Sequence, residues 1–192
     1  MKYSELKELL ISDNVYNCIK AQENALFQLI PELKACKGFD QKNSWHKYDV
    51  YEHILHVAEG VEPEITIRLA TLFHDIGKPL AFTQDENGIG HFWGHWEYSR
   101  DIFNTYVDRI GLTEEDAALI ENLIFYHDVN VGKMTDDQIC QMVEKIGRKH
   151  IKKLFAIKRA DLLAQSEQYH GLLVDIQAQE QALLERFVNI SD

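Results

Sequence analysis

A histidine followed at once by an aspartate, His74-Asp75, closes the apolar run LATLFHDIGKP from Leu69 to Pro79. Neighbouring residues on a helix point about 100° apart, so the two side chains do not pair with each other, yet both can reach one ion beyond the helix edge. Burying them without a partner would cost several kcal/mol, on the order of the penalty for an unpaired buried charge. His53, His95, His127 and Asp161 lie in other segments that read as helices or helix ends, and nine histidines in 192 residues is a high count. A metal ion is the simplest common partner. Imidazole and carboxylate donors together suit manganese, iron, nickel, cobalt or zinc better than calcium, with magnesium as the hard-cation alternative, and a helical array can aim such donors inward from several helices. The chemistry this offers is that of an activated water, because such an ion acidifies bound water and offsets charge developing on an oxygen.

Each candidate also has a plainer reading. Asp161, in IKRADLLAQS, can pair with Arg159 or Lys158, and His95 and His127 can serve as helix caps or surface residues. Lys78, three residues after Asp75, can steady a phosphate or simply favour the end of the helix dipole. Arg159 and Lys158 are cations near Asp161 that can meet a substrate phosphate or form a solvated face. His46 and His91 fall in loops, where they can touch substrate or stand in solvent. His56 reads as packing beside His53, and His150 and His170 carry no signal.

The segments that must position these residues are helical almost throughout: three prolines, weak strand signals and apolar positions at helical spacing. Asp49 and Glu52 have capping-box spacing ahead of a helix that stops near Gly60. Pro63 suits the first turn of the next helix, which carries Ile65, Leu69, Leu72, Phe73 and Ile76 and is expected to end where Pro79 restricts Lys78. Residues 83–94, rich in glycine, predict a long loop with room for a tight hairpin. Helices are expected from about His95 to Ile110, from Thr113 to His127, from Thr135 to Gly147, and again from Arg148; the tail from Glu167 to Val188 reads as one more, interrupted at Gly171. The expected fold class is all-α: one domain over residues 1–192, a helical array with flanking N- and C-terminal helices, its core at about 29–166 and an extension at about 167–192.

Bulk properties narrow the partners. Lys plus Arg number 20 against 31 acids, a formal charge of −11, which opposes charge-driven binding to long nucleic acid or an anionic membrane. Cys18, Cys36 and Cys140 are far apart and odd in number, as in a reducing compartment, and no apolar run reaches the ~18 residues of a membrane span. The start, MKYSELKELLISDN, lacks an apolar core with a cleavage site, so a cytoplasmic location is expected.

The runs PELKACKGFDQKNSWHKYDVYEHILHV, RLATLFHDIGKP and GIGHFWGHWEYS together resemble the HD-domain superfamily of metal-dependent phosphohydrolases, with its H…HD…D pattern. Within it they are most similar to the HD domain attached to bacterial CCA-adding and poly(A) polymerase enzymes, from about Leu29 to Ser166. No Gly-Ser motif with paired aspartates of a nucleotidyltransferase domain accompanies them, so nucleotide addition is not expected. The resemblance implies that His53, His74, Asp75 and Asp161 hold a first metal, and that His95 and His127 hold a second bridged by Asp75. Trp96 stands where the family pattern has glutamate, with Glu97 one place later.

The expected function is a metal-dependent phosphatase or phosphodiesterase acting on a small phosphorylated substrate, a nucleotide by preference, with Asp75 and Lys78 catalytic and Lys78, Arg159 and His91 meeting substrate. The alternatives are an HD module that binds metal and nucleotide without turnover, a di-iron oxygenase of the HD fold, and a purely structural helical array. The amphipathic tail after Glu167 is expected to pack on the domain or on a second copy in a homodimer.

Overall fold

The computed structural model describes residues 1–188 and is built of α-helices around one hydrophobic core. Four short helices lead in: α1 (Tyr3–Leu10), α2 (Val15–Ala21), α3 (Glu23–Leu29) and α4 (Pro31–Cys36). Next come α5 (Val50–Glu59) and α6 (Ile65–Phe73), whose residues Thr66 to Phe73 are all buried. That sequence, TIRLATLF, is apolar around nearly its whole circumference, so it can fold only as a central helix with neighbours on every side. Its one charge, Arg68, is satisfied by backbone carbonyls of Val61, Glu62, Leu10 and Ser12 and ties the N-terminal helices to the centre.

The capping signals appear as read. Asp49 accepts from the Glu52 amide at 2.7 Å, Thr113 accepts from Asp116 N, and Thr135 and Gln138 close a full capping box. The expectation for Pro79 needs correction. α6 already ends at Phe73, residues 74–77 form a turn, and Pro79 sits in the first turn of a short helix α7 (Lys78–Ala81). Gly77 makes that turn, because α8 (His95–Asn104) crosses so closely that a Cβ there would lie 2.5 Å from Ser99 N and 2.6 Å from His95 O. Pro63 likewise lies ahead of its helix, which begins at Ile65 with Glu64 as N-cap.

The glycine-rich loop does contain a hairpin: β1 (Thr83–Gln84) pairs antiparallel with β2 (Gly90–His91), Thr83 opposite His91. The helix expected from His95 to Ile110 is two, α8 and α9 (Val107–Ile110), broken where the Thr105 hydroxyl donates to Ile102 O. α10 (Glu114–Tyr126) packs on α6 and α8, followed by α11 (Asp136–Ile146) and α12 (Ile151–Ala164), which lies along α5. The tail expected as a helix from Glu167 interrupted at Gly171 is instead a 3₁₀ segment, Glu167–Leu172, that runs through Gly171 and gives way to α13 (Leu173–Leu183) and a π turn to Val188. α13 packs on α12 of its own domain. Residues 189–192 of the expected extension lie outside the described residues. Among the described residues no helix is long and apolar enough to cross a membrane.

Candidate metal centre

Five helices bring their ends or faces to one point. His53 projects from the middle of α5, His74 and Asp75 from the turn after α6, His95 is the first residue of α8, His127 follows the last residue of α10, and Asp161 lies on α12. His53, His74, Asp75, His95 and His127 are all buried. Asp75 is the hub. Its Oδ2 lies 3.3 Å from His53 Nε2 and 3.3 Å from His74 Nε2, while its Oδ1 lies 3.1 Å from His95 Nε2 and 3.6 Å from His127 Nε2. The donor atoms of His53, His74 and Asp75 form one compact group and those of Asp75, His95 and His127 a second; either could hold a metal ion. Asp161 joins the first through His53, with Oδ1 2.9 Å from Nε2.

The backbone fixes the tautomers. His74 Nδ1 lies 2.7 Å from Thr71 O, His127 Nδ1 2.6 Å from Ile124 O, and His95 Nδ1 2.9 Å from Phe92 O. A carbonyl oxygen can only accept, so each Nδ1 carries the proton and each neutral ring turns the lone pair of Nε2 toward Asp75. His95 Nε2 and His127 Nε2 then face one another at 3.2 Å as two acceptors, and His74 Nε2 is buried without a hydrogen-bond donor. Acceptors packed against acceptors and a carboxylate are costly unless a cation joins them.

The electrostatics agree. Burial would raise the pKa of Asp75, but His74, Lys78, His127 and His53 outweigh it and hold the carboxyl well below its usual range. Burial acts the same way on Asp161 and is again outweighed, chiefly by His53. For His53, burial opposes protonation, yet the Asp161 and Asp75 carboxylates lift the imidazole above its ordinary value. At His127 burial prevails and the pKa falls, favouring the neutral ring a metal requires.

A cavity of about 580 Å³ opens above the centre, with Asp75, His95, His127 and Asp161 in its floor. Lys78 reaches it buried, Nζ 2.7 Å from Asp75 Oδ2 and donating to Gln41 Oε1 at 2.9 Å. His91 lines the mouth, paired with Asp85, and His46 lines the wall edge-on to His53, its pKa pulled down to about 2 by burial. Arg159, expected at the substrate, is instead ion-paired with Glu180 of α13 and is not among the residues lining the cavity. Lys158 caps α10, donating to the carbonyls of His127 and Val129, and burial lowers its pKa to about 8. Sequence reasoning missed Gln41, a single polar residue with no motif around it, and the wall that Asp175, Ile176 and Gln179 of α13 give the cavity. It also missed Gly77 and Ser99, whose hydroxyl accepts from Gly77 N at 2.9 Å. A glycine two places after His-Asp was the available signal.

No protein-family model matches the chain. Among curated proteins it is 31% identical over 108 residues to the A-adding tRNA nucleotidyltransferase of Deinococcus radiodurans, covering 53% of this chain and 25% of that protein. It is 29% identical over 126 residues to the multifunctional CCA protein of Shewanella denitrificans, 62% of this chain and 30% of that one. It is 30% identical over 131 residues to the CC-adding tRNA nucleotidyltransferase of Thermus thermophilus, 64% and 30%. Its relatives are tRNA nucleotidyltransferases. The chain spans only about a quarter to a third of the length of these proteins.

Proposed function

We propose that the chain is a metal-dependent phosphohydrolase of the HD type, a phosphatase or phosphodiesterase for a small phosphorylated substrate, by preference a nucleotide. The observation that carries this is the orientation of four imidazoles with Nε2 toward the two oxygens of Asp75, three of them, His74, His95 and His127, with lone pairs turned inward by backbone carbonyls. That arrangement suits a first ion held by His53, His74, Asp75 and Asp161 and a second held by Asp75, His95 and His127. When bound, such ions acidify water and offset charge on a phosphoryl oxygen. Asp75 spans both groups and keeps them in register. Lys78, fixed by Asp75 and Gln41, adds a positive charge at the floor that meets a phosphoryl oxygen and limits charge build-up as the ester bond breaks. The surrounding helices hold bulk water away from the His53 side, where the rings are buried. The relatives' names support a nucleotide as substrate. The unpaired cysteines Cys18, Cys36 and Cys140 support a cytoplasmic setting, and the division into a core at about 29–166 and an extension at about 167–192 belongs to the same reading.

The test is elemental analysis of the purified chain, followed by phosphate release from phosphomonoesters and cyclic phosphodiesters with Mn²⁺, Fe²⁺, Co²⁺, Ni²⁺, Zn²⁺ or Mg²⁺. His74→Ala and Asp75→Ala should stay helical by circular dichroism and lose both metal and hydrolysis. Hydrolysis retained in either variant would refute the site; metal binding with no hydrolysis of any ester would favour a binding module, and oxygen uptake with an oxidised product an oxygenase.

A further inference from the structure

All three tryptophans of the chain, Trp45, Trp93 and Trp96, line the same cavity. Trp93 is 78% exposed, a large apolar ring left in solvent at the mouth, and its face is parallel to that of His91 at 6.2 Å. Trp45 is stacked on Tyr169 at 3.7 Å, and the Tyr169 hydroxyl lies 2.7 Å from Ser44 Oγ, so the tail holds one aromatic wall rigid. Exposed indoles around a polar-floored cavity are suited to stacking on a planar ring.

The charges lining the cavity differ in burial. Its cations are Lys78 and Lys158 alone among the described residues. Lys78 belongs to the floor beside Asp75, while Lys158 donates to two backbone carbonyls and has Asp128 and Asp161 near enough to offset its charge. Two lining carboxylates are exposed where Lys78 is buried, Asp128 just after α10 and Asp175 on α13, and the cavity has no arginine among the described residues. One phosphoryl group therefore finds positive charge at the floor. A second, farther out, finds carboxylates.

Resting on the phosphohydrolase reading, we infer that the outer half of this cavity selects substrates with a single phosphoryl group joined to a planar ring. The tryptophans form the platform, and Asp128 and Asp175 turn away a second phosphate. Site-specific selection of this kind comes from repulsion as much as attraction. A rim carboxylate ~8 Å from an added phosphate charge, partly screened, weakens binding by roughly two- to fivefold.

Binding rather than turnover reads this out. Metal-loaded chain is titrated calorimetrically, in the cold, with inorganic phosphate, adenosine monophosphate and adenosine diphosphate. The wild type should bind the monophosphate more tightly than the diphosphate. Asp128→Asn and Asp175→Asn should each narrow that ratio by roughly two- to fivefold, and Asp175→Lys should narrow it further. Trp93→Ala should weaken the monophosphate by roughly tenfold while leaving inorganic phosphate unchanged. Equal or tighter binding of the diphosphate by the wild type, or a ratio that the rim variants leave alone, overturns the inference while the phosphohydrolase reading stands. Failure to bind even inorganic phosphate overturns both.

Discussion

Gly77→Ala is the sharpest test of how the metal centre is built. Gly77 has an ordinary helical conformation, φ −81° and ψ −10°, so alanine there meets no backbone strain. What it meets is α8: the new Cβ would lie 2.5 Å from Ser99 N, 2.6 Å from His95 O and 2.7 Å from Tyr98 Cβ. Two of those atoms are backbone, so no rotamer change relieves the clash and the turn and helix must separate. Overpacking of this kind costs about 1–3 kcal/mol, and losing the Gly77 N to Ser99 Oγ hydrogen bond adds about 1 kcal/mol. A domain with ordinary stability survives a loss of about 2–4 kcal/mol but with a urea midpoint lowered by roughly 1–2 M. The chemical effect should be larger than the structural one. His95 leads the helix that is pushed away, and its Nε2 stands 3.1 Å from Asp75 Oδ1, so separation by even an ångström opens the second donor group and spares the first. Under the proposed two-ion reading, metal analysis should therefore fall from two ions toward one per chain. Gly111→Ala is the control: nothing lies within 4 Å of the new Cβ, but φ is +67°, so it should cost about 1–2 kcal/mol with metal content unchanged. A Gly77→Ala protein with wild-type midpoint and wild-type metal content would refute the close-approach argument.

Two further predictions bear on the frame and on the protons. Arg68→Leu leaves the carbonyls of Val61, Glu62, Leu10 and Ser12 without their shared donor and should lower stability by about 3–5 kcal/mol in urea unfolding; a loss below about 1 kcal/mol would mean that water replaces it. Chelator-treated protein should take up metal more weakly as pH falls through the His53 value. That imidazole is lifted above its ordinary 6.5 by Asp161 and Asp75, so its proton stabilises the metal-free fold below pH 6.5 and that contribution is lost as pH rises through the elevated folded value, the same window in which metal affinity climbs. Calorimetry in buffers of different ionisation enthalpy counts the protons released, and zero release near neutral pH would contradict the assignment.

The all-α class and the helix starts marked by caps were legible because caps and apolar periodicity are local. Asp49, Thr113 and Thr135 each act within three residues. The convergence of His53, His74, Asp75, His95, His127 and Asp161 was legible from residue types and from the family pattern. What could not be read depends on contacts remote in sequence. Gly77 owes its role to Ser99 and Gln41 owes its role to Lys78, while Arg159, only two residues before Asp161, turns to Glu180 because α13 packs there. Pro79 departs from expectation for a related reason: a proline marks a helix start as readily as an end, and only the crossing of α8 over Gly77 decides which.

The histidines also show that serving a helix end and facing the candidate metal centre are compatible roles for one ring. The last carbonyls of a helix have no amide partner in the next turn. His74 and His127 stand just beyond α6 and α10 and donate Nδ1–H to such carbonyls, those of Thr71 and Ile124. Serving the helix end is what turns Nε2 outward with its lone pair free, so the same hydrogen bond that caps the helix leaves the ring in the state a metal ligand would need. His95 reaches the same state from the other direction, through the carbonyl of the turn that precedes α8. His53 cannot, because it lies inside α5, where its own turn's carbonyls are taken; its Nδ1 is buried without a partner and its orientation is left to Asp161 and Asp75. Three rings are thus set by backbone and one by carboxylates, so under the proposed metal-centre reading His53 is the ring whose protonation would compete with an ion and Asp161 the residue that holds that ring in place.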